Sequence, residues 1–427
     1  MGMFQTIKQA FKIPEMRNKI WYTALMLLIF RIGSNIPVPY IDRTQLTSMF
    51  DANSSGLFGL FDLFSGGSFS NFTIFALSIS PYITSSIIIQ LLAIAIPALE
   101  ELSKAGEEGR KKITKITRWV TIGLALMQAA GYTFGLFTSV LTTDSFFAKC
   151  IIVLVLVAGT AFLMWIGERI DEKGIGNGIS LLIFAGIVSR IPTAISDTIS
   201  GGVAGTYNWV TIALFVVFAV IVIVGIIMVN EGQRKIPVQY AKKVVGRRLY
   251  GGQSTFIPIK VNQAGVIPVI FASSLLALPT TAAYMFPNGG FATFVNKYLA
   301  SSGNPGVYVY FVFNVLLIVA FTYFYGAISF DTNQIAENIQ TNGGFIPGIR
   351  PGKATSEYVH KIATRLDFVS AMFLAIVASL PTLLQQWTSL NISFGGTSLI
   401  IAVGVALETV RGIETQMQMR NYSGFLK

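Results

Sequence analysis

Ten stretches of this chain are long and apolar enough to be read as bilayer crossings, and that recurrence limits the fold more than any other feature. A spanning helix needs about 20 mostly apolar residues. Such windows lie at 20–37, 74–97, 119–140, 148–167, 176–192, 209–230, 265–284, 307–329, 368–387 and 392–407. The windows 176–192 and 392–407 are short and carry glycine, and losing either would invert everything after it. No small-residue cleavage site follows the first window at 32–39, so it is read as a span and not as a removable signal peptide. The expected class is an all-α polytopic membrane protein with ten transmembrane helices.

Charge supports that count. The net charge of +11 on 427 residues could suggest a nucleic-acid binder. With ten spans and a cytoplasmic start, however, 26 of the 31 lysines and arginines fall in cytoplasmic segments; only Arg31, Arg43, Lys149, Arg190 and Lys297 lie elsewhere. This is the positive-inside asymmetry of a multi-pass protein with both ends in the cytoplasm. A lone cysteine, Cys150, rules out an internal disulfide, and the lone histidine, His360, has no Cys or carboxylate cluster beside it to build a metal site.

The chain divides accordingly. Residues 1–19 form an amphipathic cytoplasmic start, with Phe4, Ile7 and Phe11 on one face, and 20–200 carry the first five spans. Residues 201–230 hold a loop end and span six, 231–263 a cytoplasmic loop, 264–413 spans seven to ten with the loop 331–366, and 414–427 a tail. The loops 231–263 and 331–366 are long, basic and rich in turn-forming runs such as YGGQ and TNGGFIPGIRPGK, so the working surface is expected to face the cytoplasm.

The stretch SSGLFGLFDLFSGGSFSNF at 54–72 is greasy but too short to cross. A segment of that kind persists at membrane depth only inside protein or a water-filled cavity. Its six apolar side chains, Leu57, Phe58, Leu60, Phe61, Leu63 and Phe64, would contribute about 1.5–3 kcal/mol each if fully buried. Burial that deep would fix the segment in place, so partial burial is expected if it is to move. Gly56, Gly59, Gly66 and Gly67 weaken the helix and supply hinges.

Proline interrupts two spans in related contexts. Ile79-Ser80-Pro81-Tyr82-Ile83 is followed by Ser85-Ser86, and Ile267-Pro268-Val269-Ile270 by Ser273-Ser274. These are the second spans of each group of five, which suggests two related five-span halves of opposite orientation. Broken helices in corresponding places mark a transport path.

Six runs resemble one family: FALSISPYITSSIIIQLL (75–92), ERIDEKGIGNGISLLIFAGIVSRIP (168–192), EGQRKIPVQYAKK (231–243), KVNQAGVIPVIFASS (260–274), GFIPGIRPGKATSEYV (344–359) and MRNYSGF (419–425). Together they are similar to the SecY/Sec61-alpha family of protein-conducting channels, and the likeness covers essentially the whole chain. Two departures stand out: Ser78-Ile79-Ser80 where the family commonly has Gly-Ile-Met, and Gly412 where a bulkier residue is usual.

The resemblance implies two inverted five-helix halves around an hourglass pore, with 54–72 as a plug on its outer side. It implies a constriction ring of Ile79, Ile83, Ile183, Ile187, Ile270 and Ile401, with Ile400 as the alternative to Ile401. Such a ring excludes ions by dewetting and offers a passing chain no specific hydrogen bond. It implies a lateral gate between spans two and three and spans seven and eight, where Gln90, Ser273 and Ser274 could bond across a closed seam at about 0.6–2 kcal/mol. Arg247, Arg248 and Arg350 would dock the ATPase SecA or the ribosome, Arg350 by bidentate contacts that lysine cannot replace. Further implied partners are the subunits SecE and SecG, signal sequences, unfolded secretory or membrane polypeptides and the surrounding bilayer. The implied setting is a bacterial cytoplasmic membrane.

The competing reading is an ion-coupled secondary transporter of a small solute. Coupling needs ionisable groups near the midplane, and here Arg31 lies toward the outer end of span one and Glu408 at the inner end of span ten. An intramembrane protease fails for want of a paired Asp, a Ser-His pair or a metal cluster in the spans. No nucleotide-binding motif or cofactor site is evident, so the expectation is a channel without enzymatic activity.

Overall fold

The computed structural model of the protein describes residues 9–42, 44–46, 62, 65–143, 145–205, 208–240, 243–245, 248–250, 254–285, 289–299, 306–387 and 396–424. The helices of the N-terminal part are α1 (Pro14–Gly33), α2 (Ser80–Ala95), α3 (Pro97–Lys104), α4 (Gly106–Gly131), α5 (Phe146–Lys173) and α6 (Gly178–Val203). The later ones are α7 (Trp209–Glu231), α8 (Ile267–Met285), α9 (Gly290–Tyr298), α10 (Gly306–Ser329), α11 (Thr332–Thr341), α12 (Lys353–Trp387) and α13 (Gly396–Gly424).

Each of the ten apolar windows contains a helix. Among the described residues, seven helices are individually long and apolar enough to cross a membrane, including the two that begin at Gly178 and Gly396, where the sequence windows are weakest. α2 reaches that length only together with α3, across a 103° bend, and α8 is a shorter apolar helix over Ile267–Ala283. α7 shows why these segments are helical despite many β-branched residues. In a membrane, backbone groups must pair within the segment, so solvent overrides the modest propensity penalty of Val and Ile. Asn208 caps its start by accepting from the Val210 N–H at 3.1 Å, and only Val222 and Ile226 of α7 are buried. About half of its residues are exposed, so one broad face points outward.

Within the window 74–97, α2 begins at Ser80, where the sequence places a proline break. Upstream, Phe72 and Ser78 have φ of 41° and 54°, a left-handed conformation that a right-handed helix cannot include. Pro81 then starts α2 at a position where its missing N–H costs nothing. The turns at 65–79 are held by an aromatic cluster: Phe72 packs edge-on to Phe137 at 4.4 Å between centroids, and Phe69 to Tyr132 at 5.5 Å.

The helices pack as two groups. α2 lies on α4, α4 on α5, α5 on α6, and α1 on α5. In the other group α8 lies on α10, α10 on α12, and α13 on both α12 and α7. The groups meet along two lines, α8 against α2 and α4 on one side, and α13 and α7 against α6 on the other.

Among the described residues, strands occur only in the two long basic loops. β1 (Gln233–Tyr240), β2 (Lys243–Val245), β3 (Arg248–Tyr250) and β4 (Ser254–Lys260) come from the first loop, and β5 (Gly344–Phe345) from the second. They form a sheet in the order β4-β1-β5, with β1 antiparallel to both neighbours, and a separate β2-β3 hairpin. Ile236, Val238 and Ile259 of this sheet share a buried cluster with Ile339 of α11 and Val359 of α12, so the two loops form one packed unit.

Candidate functional site

Four helices, two from each group, bring the predicted ring residues together. Ile79 caps and Ile83 opens α2, Ile183 and Ile187 lie one turn apart on α6, Ile270 is on α8, and Ile400 and Ile401 are on α13. All seven are buried in one large apolar cluster that draws on both helix groups and also includes residues such as Phe30, Leu163 and Val405. Ile187, Ile400 and Ile401 have no exposed surface. Successive residues on a helix point about 100° apart, so enclosure of both Ile400 and Ile401 means α13 is covered on two faces here. Isoleucine suits the position because its branched side chain is stiff at χ1 and carries no polar atom.

The seam between the groups carries a polar link that the sequence reading missed in part. The Tyr325 hydroxyl of α10 donates to Gln90 Oε1 of α2, and Gln90 Nε2 donates to Ser86 Oγ at 3.1 Å within α2. Ser273, expected to bond across the seam, instead donates to its own helix, with Val269 O and Ile270 O each at 2.9 Å. Its short side chain sits closest to the carbonyls one turn back, the usual alternative for a serine in an apolar helix. Ser274 is half-buried on the same helix. Tyr325 is fixed by aromatic contacts: Phe271 of α8 meets it edge-on at 5.2 Å and meets Phe321 at 5.9 Å. Such pairs contribute about 0.5–1.5 kcal/mol beyond the area they bury. Nothing in the spacing of Gln90 and Tyr325 ties them together; the only sequence signal is a polar tip on an aromatic residue within an apolar span.

Of the stretch 54–72, the six apolar positions Leu57, Phe58, Leu60, Phe61, Leu63 and Phe64 lie outside the described residues. Asp62 and the turns from Ser65 onward are described, and they sit against the C-terminal end of α1 at Arg31 and the middle of α6 at Arg190.

At the basic end, Arg350 is exposed in the turn between β5 and α12. Its backbone carbonyl accepts from Thr355 Oγ1 at 2.9 Å. Gly348 and Gly352 on either side adopt φ of 82° and 97°, which fixes the turn that presents the arginine. Arg248 opens β3, its backbone opposite Val245, while Arg247 lies outside the described residues. Because β5 pairs with β1 at Gln239↔Phe345, the Arg350 turn and the first loop are carried on one sheet.

Comparison with known proteins agrees with this geometry. The SecY family model matches residues 73–410. The protein translocase subunit SecY of Thermotoga maritima is 44% identical, covering 100% of this chain and 98% of that protein. The protein of the same description from Bacillus subtilis is 44% identical, covering 100% of both. Among solved structures, a protein-conducting channel superposes with a TM-score of 0.69 at 19% identity, covering 94% of this chain and 92% of that one. Sec61 from the canine ribosome-channel complex of the endoplasmic reticulum gives 0.65 at 17% identity, with the same coverage. At those identities the structures speak for the fold, and the sequence relatives for the family. With the family model matched across most of the chain and full-length relatives at 44% identity, the chain belongs to the SecY family.

Proposed function

We propose that the chain is a protein-conducting channel of the general secretory pathway, passing unfolded secretory polypeptides across the membrane and releasing transmembrane segments sideways into lipid. The observation that carries this reading is the meeting of Ile79, Ile83, Ile183, Ile187, Ile270 and Ile401, from both helix groups, in one buried apolar cluster. An all-isoleucine waist seals against ions when narrow and binds no particular side chain when stretched, which suits a conduit for many sequences and no single solute. Residues 54–72 act as its plug, and the Gln90–Tyr325 link closes the lateral gate between α2 and α10.

The chain sits in a bacterial cytoplasmic membrane with both termini in the cytoplasm, in accord with the concentration of basic residues at one end. SecE and SecG are its partner subunits. Arg247, Arg248 and Arg350 on the basic loops are the docking points for SecA or the ribosome. The chain performs no catalysis; the driving energy comes from its partners. The test is reconstitution of the complex in liposomes. A secretory precursor should become protected from added protease when SecA and ATP are supplied. Ion-driven uptake of a small solute with no precursor protection would replace this reading with the transporter.

A further inference from the structure

We propose that the plug is held in place by an arginine latch, in which Asp62 is paired with Arg190 of α6 and the adjoining loop is clasped by Arg31 of α1. The proposal rests on reading 54–72 as the plug. The carboxylate of Asp62 forms an ion pair with the Arg190 guanidinium, and the two side chains are only 14% and 29% exposed. The same carboxylate accepts the Ser70 N–H at 2.7 Å, and Arg190 donates to Ser70 Oγ at 3.0 Å. Arg190 thus holds Asp62 and the turn residue Ser70 together. The turn is closed internally, with Gly67 N donating to the Asp62 carbonyl at 2.9 Å and Ser65 Oγ to the same carbonyl at 3.0 Å.

Arg31 reaches this turn from a second helix. Its guanidinium donates to the Gly66 carbonyl at 3.1 Å and to Ser189 Oγ at 2.9 Å, next to Arg190. Gly66, at φ 65°, comes so close to α6 that an added Cβ would lie 2.8 Å from the Gly186 Cα. Gly186, Ser189 and Arg190 stand at i, i+3 and i+4, so one face of α6 receives the turn. Ile187 of the waist is in the same helical turn.

Two guanidinium groups converge on one short turn, and Asp62 supplies countercharge there. A partly desolvated, charge-assisted pair is stronger than a surface one, and removing one partner leaves the other charge stranded. The arrangement also resolves the difficulty with a greasy stopper. Deep burial of six apolar side chains would hold too firmly, whereas a hydrated passing chain can replace polar contacts one at a time. Arg190, which the charge count sets aside as an outer exception, acquires a role.

The test uses the full chain in its complex, reconstituted in liposomes, with ion leak in the resting state as the readout and precursor translocation as the check on folding. Asp62→Asn and Arg190→Gln should each raise resting leak about tenfold or more, equivalent to about 1.4 kcal/mol of lost closure. Exchanging the charges, Asp62→Arg with Arg190→Asp, should return leak most of the way to the unmodified level. Single variants that translocate yet stay tight would overturn the latch, as would an exchange that leaks as much as the singles. Deletion of 57–65 separates the two readings. If the deletion leaks while the single variants stay tight, the latch alone fails; if the deletion stays tight, the plug reading fails with it.

Discussion

Removing the Tyr325 hydroxyl should loosen the seam between the two helix groups without disturbing its packing. In Tyr325→Phe the ring keeps its edge-on contact with Phe271 at 5.2 Å, and only the bond to Gln90 Oε1 is lost. A hydrogen bond between membrane helices is worth about 0.6–2 kcal/mol. Its loss should shift the ratio of closed to parted seam by about 3- to 30-fold. The assay is the rate at which membrane vesicles translocate a precursor with a weakened signal sequence, relative to the same precursor with an intact one. Tyr325→Phe should raise that ratio within the stated range, and Gln90→Leu should do the same. The double variant should match either single, because both remove one bond. Ser86→Ala, which removes only the local partner of Gln90 Nε2 at 3.1 Å, should have little effect. Additive effects of the two seam variants, or no change in either, would refute the argument.

The waist should be sensitive to polarity more than to size: Ile187→Asn, at a fully enclosed position, should raise resting single-channel conductance in planar bilayers, while Ile187→Val should not. Gly326 of α10 is pressed against α12, where an added Cβ would lie 2.3 Å from Asp367 Oδ2. Gly326→Ala should therefore cost about 1–3 kcal/mol, read as a lower melting temperature in detergent, and Asp367→Ala in the same chain should recover most of the loss. Arg350→Glu should abolish productive docking at the basic end, and Arg350→Lys should restore little of it, as measured by SecA affinity for the reconstituted complex.

Much of the architecture is legible in the sequence because membrane crossing is a local property. About 20 apolar residues in a row must pair their backbone groups within the segment, and every window holds a helix, even where, as at 74–79, part of the window is turns. The ring isoleucines are singled out by the family resemblance alone: the i, i+4 spacing of Ile79/Ile83 and Ile183/Ile187 puts each pair on one helix face but does not tell a pore position from any other buried one. What could not be read is non-local or depends on backbone strain. Pro81 announces a break in the second span, but no residue pattern announces the positive φ of Phe72 and Ser78 that shapes the turns before it. The pairs Gln90–Tyr325 and Asp62–Arg190 join residues far apart in sequence, and packing alone sets their registry. The sheet was hidden likewise: β5 is two residues long and becomes a strand only by pairing with β1.

The central claim is that polypeptide passes through the isoleucine waist, and a photo-cross-linker at Ile187 tests it most directly. A secretory precursor stalled in membranes should form an adduct at Ile187 that requires a working signal sequence. A cross-linker at Leu214 on the outward face of α7, where the side chain is 68% exposed, should form none. No adduct at Ile187, or equal adducts at both positions regardless of the signal sequence, would contradict the account.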